Sequence, residues 1–167
     1  MRKIGRKPVW MFIAEMIKNA KKDKIYYPKG GTTMVTVRQV GQCVAGAIEN
    51  TIGAKTYPVG WFNMEWKQWL EIFSKGMGQK KKIVTIPTFL FKMFAKKMKK
   101  DSKDIESGLD MAEFAKVMTA KTYIDKKIIE NELGVTDDNI VKAIEESAKL
   151  CKDILSEKVE VIDMKGE

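Results

Sequence analysis

The stretch that most restricts what this chain can fold into is its last third, where Tyr123-Ile-Asp-Lys-Lys-Ile-Ile-Glu-Asn-Glu-Leu-Gly134-Val leads into Asp137-Asp138-Asn-Ile-Val-Lys-Ala-Ile-Glu-Glu-Ser147. The pattern reads as a short strand, a helix opened by Asp125 and stopped by Gly134, a turn, and a capped amphipathic helix. Glycine ends a helix cheaply because it enters the left-handed region without a Cβ penalty, and aspartate before a helix accepts its unpaired N–H groups.

With 167 residues, 44% of them apolar, the chain is long enough to bury a core. Its 31 Lys+Arg against 22 Asp+Glu give a formal charge of +9, which attracts phosphates, anionic lipids or nucleic acid. Most of that excess is lysine in runs such as Lys80-Lys81-Lys82 and Lys96-Lys97-Met98-Lys99-Lys100, which solvated helix faces and turns explain. Arginine occurs only at Arg2, Arg6 and Arg38, whereas nucleic-acid sites usually combine arginine with interleaved aromatics. Histidine is absent, so histidine triads and histidine-ligated metals are excluded. Cys43 and Cys151 stand far apart inside helical patterns, without a Cys-x-x-Cys, and read as idle thiols of a reducing compartment. No apolar run reaches a membrane span and the start lacks a signal-peptide core, so a soluble, cytoplasmic protein is expected.

Along the chain, apolar spacing after Pro8 predicts a first helix to about Asn19. Lys24–Tyr27 and Met34–Val37 read as strands on either side of Pro28-Lys29-Gly30-Gly31, a turn whose glycines permit positive φ. From Val37 to Asn50 a buried helix is expected, with Val40, Val44, Ala47 and Ile48 inward and small Gly41, Ala45 and Gly46 allowing close approach to a sheet. Lys55–Val59 is a strand candidate that Pro58 confines to an edge. Asn63 is read as the cap of a helix whose stripe is Trp66, Trp69, Leu70, Phe73 and Met77, closed by Gly78. Lys82–Ile86 is a strand, and Thr88–Lys100 a helix burying Leu90, Met93, Phe94 and Met98. A mobile polar segment is expected from Asp101 to Gly108, then a helix from Asp110 to Met118. The last helix turns Ile140, Ala143, Ile144, Ala148 and Cys151 inward before Val159-Glu-Val-Ile-Asp trails off. The expectation is one α+β domain over residues 1–155 and a tail over 156–167, helix-rich with a few short strands.

Three blocks in order resemble the extended short-chain dehydrogenase/reductases, the NAD(P)-dependent epimerases and dehydratases of nucleotide sugars. Met34-Val-Thr-Val-Arg-Gln-Val40-Gly-Gln-Cys-Val-Ala-Gly-Ala-Ile-Glu49 is similar to that family's Phe-Val-His-Val-Asp-Asp-Val-Ala segment and its following helix. Thr56-Tyr-Pro-Val-Gly60 with Met64-Glu-Trp-Lys-Gln-Trp-Leu70 is similar to its Tyr-Asn-Val-Gly strand and Thr-Trp-Lys-Glu-Leu helix. The third block is the tail, with Lys126 where serine is usual and Val135 where tryptophan is usual. The resemblance spans about Pro8 to Leu150 and implies the C-terminal, substrate-side portion of a Rossmann-type α/β epimerase/dehydratase fold.

Neither part of that family's chemistry is in place. No glycine-rich dinucleotide turn occurs, and the one Tyr-x-x-x-Lys spacing, Tyr123 with Lys127, lies downstream of where the family keeps its catalytic helix. NAD or NADP is thus implied for the full-length protein, while no cofactor is expected on this chain alone. The family's phosphate-binding arginine falls at Thr32, whose hydroxyl can bond a phosphate or sugar but carries no charge, and Lys29 or Arg38 could supply one. Tyr27 could stack on a base or sugar, or be an edge-strand aromatic; Lys121 and Tyr123 border another substrate-facing segment of the family. The partners implied are the missing N-terminal dinucleotide-binding half, on which the Met34–Val37 strand and the next helix should pack, and a nucleotide sugar or other anionic small molecule. Loss of that half would uncover apolar surface, so a homo-oligomer is expected. Two other readings stay open: a stand-alone, non-catalytic binding module of the same fold, and a basic nucleic-acid-binding domain, which charge alone favours.

Overall fold

A computed structural model describes residues 2–4, 8–20, 23–50, 53–101 and 111–161. Among them seven helices and seven short strands give a helix-rich α+β fold. The chain divides into two compact units, each assembled from separated stretches: Met1–Ile25, Gln68–Val84 and Val141–Glu167 form one, and Tyr26–Lys67 and Thr85–Ile140 the other.

The first unit is built on helices. Helix α1 (Met11–Asn19) buries Ile13, Ala14 and Ile17. Strand β1 (Arg2–Ile4) pairs in parallel with β7 (Val159–Val161), so the ending expected to trail off is a strand. Strands β2 (Lys24–Pro28) and β5 (Lys82–Ile86) form a two-stranded sheet, and the division between units falls within both. Helix α3 (Trp66–Gly76) buries Trp69, Leu70 and Phe73 as its spacing predicts, with Met77 just beyond; Trp69 stacks on Phe73 with centroids 4.8 Å apart. Gly76 faces Ala148 and Glu145 of α7 (Ile140–Leu155) so closely that a Cβ would come within 2.8 Å of the Ala148 Cβ. Gly78 (φ 73°) then ends the helix, its N–H on the Lys75 carbonyl at 2.8 Å and that of Gln79 on Ser74 at 3.0 Å. Helix α7 buries Ile144, Ala148 and Cys151, and leaves Ile140 and Ala143 half-buried. Cys43 and Cys151 are free and buried.

The second unit is organised by a three-stranded sheet of order β4-β3-β6. Strand β3 (Gly31–Met34) pairs antiparallel with β4 (Phe62–Glu65) and in parallel with β6 (Lys121–Thr122). The expected Met34–Val37 strand therefore ends at Met34. Thr36 instead caps helix α2 (Val37–Asn50): its hydroxyl accepts the Gln39 N–H and the Gln39 side-chain oxygen accepts the Thr36 N–H, both at 3.2 Å. Strands β2 and β3 belong to different sheets, and their intervening glycines serve close approach rather than positive φ. A Cβ on Gly30 would collide with the Met118 carbonyl, and one on Gly31 would lie 2.6 Å from the Met64 carbonyl.

Further expectations are corrected here. Lys55–Val59 has no ladder, because the edge of β3 is occupied by Phe62–Glu65 and Pro58 has no N–H to donate. Asn63 is a residue of β4, and the next helix starts at Trp66. On α2 the buried residues are Gln39, Cys43 and Gly46, whereas Val40, Val44 and Ile48 are exposed. Gly46 meets the Leu133 carbonyl of α6 (Lys127–Leu133), so the close approach is between helices and not against a sheet. Cys43, Trp61, Ile129, Leu133 and Val135 form the core at that crossing. Helix α4 (Thr88–Asp101) lies against α5 (Met111–Thr119) and buries small Ala95, leaving Met93 and Phe94 exposed against expectation. The Met98 side chain and the segment expected to be mobile lie outside the described residues.

Candidate binding cleft beside the β4-β3-β6 sheet

The sheet register sets the site. With Thr32 opposite Thr122 and Gly31 opposite Lys121, the chain leaving β6 runs on past β3, where Thr33 and Asn63 hold it. The Thr33 hydroxyl accepts the Ile124 N–H at 2.7 Å and donates to the Asn63 side-chain oxygen, while Asn63 Nδ2 donates to the Ile124 carbonyl at 3.3 Å. Neighbouring β3 and β4 thus fix Tyr123 and Ile124 through side chains after the backbone ladder has ended. Asp125 then accepts the Lys127 N–H at 3.0 Å, opening α6, and Gly134 (φ 65°) closes it; both follow the sequence reading.

Between this segment and Trp61 lies an open cleft of about 470 Å³, lined by Trp61, Asn63, Tyr123, Ile124, Asp125 and Lys126. The Lys126 ammonium stands 4.2 Å from the Trp61 ring centroid, within cation–π range, and the indole N–H donates to Asp137 Oδ1 at 2.8 Å. Trp61 is thereby locked at both its face and its edge. Asp137 lies in the turn before α7, between Thr136 and Asp138, which a polar network joins to the start of α2. There, Gln39 Nε2 donates to the Thr136 carbonyl at 3.0 Å, the Thr36 hydroxyl donates to Asp138 at 2.6 Å, and Gln42 Nε2 donates to the Thr136 hydroxyl at 2.9 Å. Gln39 is fully buried and its amide is matched on both ends, so its role is to hold this turn.

The six residues expected to contact substrate separate into three places. Thr32, Lys121 and Tyr123 belong to the sheet but to its two faces: the Thr32 and Thr122 hydroxyls are 3.4 Å apart on one, and on the other the Lys121 ammonium is 5.9 Å from the Tyr123 ring centroid. Lys121 also donates to Glu65 at 2.5 Å, and that hydrogen bond raises the lysine pKa and lowers the glutamate's. Exposed Lys29 adds positive charge near Glu65. Tyr27 lies instead edge-on to Trp66, centroids 6.3 Å apart, and burial pushes its phenol to about 12. That is a packing role. Arg38 sits in the first turn of α2 with its guanidinium 3.8 Å from Asp138. Of the six, Tyr123 alone lines the cleft.

Tyr123 precedes α6 rather than lying on it, so its spacing to Lys127 does not stack the two side chains one helical turn apart. No nucleophile with an adjacent base lines the cleft. Its aromatic wall, cation and carboxylate suit the holding of a ring or anion. Among the described residues no cluster of three or more His, Cys, Asp or Glu could bind a metal, and no helix is long and apolar enough to cross a membrane. Trp61 and Lys126 escaped the sequence reading. Their signals were an indole placed two residues before Asn63 and a lysine at the family's serine position.

No family model matches the chain, and no curated protein matches it. Among solved structures, that of gox2253 is similar in fold, with a TM-score of 0.62 over 95% of this chain at 14% identity. The likeness covers 48% of the gox2253 chain, so this chain spans about half the length of the structure it matches.

Proposed function

We propose that this chain is the substrate-side portion of an NAD(P)-dependent epimerase/dehydratase-like protein of the extended short-chain dehydrogenase/reductase type, without catalytic competence of its own. In that reading the fold is the C-terminal part of a Rossmann-type enzyme, and the dinucleotide and catalytic tyrosine belong to the other half. The observation that carries it is the coincidence of order and extent. The three blocks that resemble the family lead in order into α2, into α3, and through α6 to α7, while the fold likeness covers nearly all of this chain and about half of a longer protein.

The ligand class proposed is a nucleotide sugar or a related anionic small molecule, taken by the Trp61–Tyr123–Lys126 cleft. A sugar or base would use the Tyr123 face, and a phosphate would use Lys126 in place of the family's arginine. The test is the size of the polypeptide in its source cells, read by an antibody raised against this chain. A band well above 19.0 kDa is the expected outcome. A band at 19.0 kDa would replace this reading with a stand-alone binding module.

A further inference from the structure

Helix α2 carries two opposite faces. Gln39, Cys43 and Gly46 are buried, whereas Val37 is 90% exposed, Val40 41%, Val44 56% and Ile48 78%. At 100° per residue, Val37, Gly41, Val44 and Ile48 fall in one stripe diametrically opposite the buried side, flanked by Val40 and exposed Ala45. Charged side chains usually occupy such a face. Here Arg38 and Glu49 stand together along only one border of the stripe, near its two ends.

We propose that this face docks a second copy of the chain, the two α2 helices packing antiparallel about a two-fold axis that passes level with Gln42 and Cys43. The stripe is complementary to itself in that arrangement and in no parallel one. Val37 of one copy is level with Ile48 of the other, and Gly41 is level with Val44, so the bulkiest central side chain meets the residue without one. A Cβ built on Gly41 meets nothing within 4 Å in its own chain, which leaves that hollow open to a partner. The charges match as well: a two-fold of this kind keeps each border on its own side, bringing Arg38 of each copy within two residues' rise, about 3 Å, of Glu49 of the other. Arg38 already faces Asp138 with an exposed guanidinium, and a second carboxylate would complete a small network. The helix is about 21 Å long, so the interface is small and belongs with weak, exchanging dimers.

Sedimentation equilibrium of the full 167-residue chain from about 1 to about 500 µM tests this, with dimer formation expected inside that range. Gly41→Gln fills open space in the monomer and replaces a poor helix former, so its fold is safe; it should weaken the dimer at least about tenfold. Val44→Glu should abolish it. A one-to-one mixture of Val37→Cys and Ile48→Cys chains should cross-link as the mixed pair under mild oxidation, since native Cys43 and Cys151 are buried. A monomer throughout the range, a dimer indifferent to Gly41→Gln, or cross-links within each variant and none between them would each overturn the proposal. The sequence reading assigns α2 to packing on the missing N-terminal half, so the proposed dimer belongs to the chain without that half; a monomer would overturn the dimer and leave the reading tested by the source polypeptide's mass untouched.

Discussion

Helices α2 and α3 are both amphipathic by spacing, yet one buries the stripe that its sequence advertises and the other exposes it. Trp69, Leu70 and Phe73 on α3 are covered, while Val37, Val44 and Ile48 on α2 face outward and the helix turns Gln39, Cys43 and Gly46 to its neighbours. Apolar periodicity therefore locates a face without saying what covers it. On α2 the inward face was set by polar devices instead: the reciprocal Thr36–Gln39 cap, the Gln39 bond to Thr136 and the Gly46 contact with Leu133. A buried glutamine with both ends matched fixes rotation about the helix axis more tightly than a stripe of valines, because misplacing it leaves polar groups unpaired.

The contrast can be broken most directly at Phe73. Phe73→Ala should cost about 3–5 kcal/mol in denaturant unfolding, since the ring is fully buried and stacked on Trp69. An effect below about 1 kcal/mol would mean that α3 is not the core helix described.

A sharper test uses two glycines of α2 five residues apart. Gly46→Ala must push against the Leu133 backbone and should destabilise by about 1–3 kcal/mol. Gly41→Ala meets open space and should stabilise the monomer by about 0.5–1 kcal/mol. Equal effects at both positions would contradict the assignment of faces.

The smallest effect concerns Tyr27, packed against Trp66 at the start of α3. Burial raises its phenol from 10.0 to about 12. Because the folded value lies above the unfolded one, the associated stability is full below pH 10.0 and is lost as the pH rises through about 12. In an ultraviolet titration one of the four tyrosines should ionise late, and Tyr27→Phe should remove that late step. A late step that survives the substitution would place the buried phenol elsewhere.

Local chemistry in the sequence predicts α2 over Val37–Asn50, β5 over Lys82–Ile86, the Asp125 opening and Gly134 closing of α6, and the Gly78 release of α3, all as found. Each rests on neighbours within a few residues. The errors share another origin. Val35-Thr36-Val37 is β-prone, but the Thr-x-x-Gln spacing that makes Thr36 a cap was present and outranked it. Asn63 has good capping chemistry, yet its partners are Thr33 and Ile124, which are 30 and 61 residues away. The cleft was half legible for the same reason. Tyr123 stood in a recognised block, while Trp61 becomes a wall only through Lys126 and Asp137, contacts that no period or motif encodes.

The parallel pairing of β1 with β7 sets Arg2 opposite Val159, a separation of 159 − 2 = 157 positions. Such a contact closes nearly the longest loop the chain can form, and loop-closure entropy has to be met before its few backbone bonds return anything. Three residues a side cannot meet that cost early. The pair is therefore a late arrival in folding, docking onto helices already assembled, and its amides should exchange with solvent through local fraying well before the Leu70–Phe73 turn does.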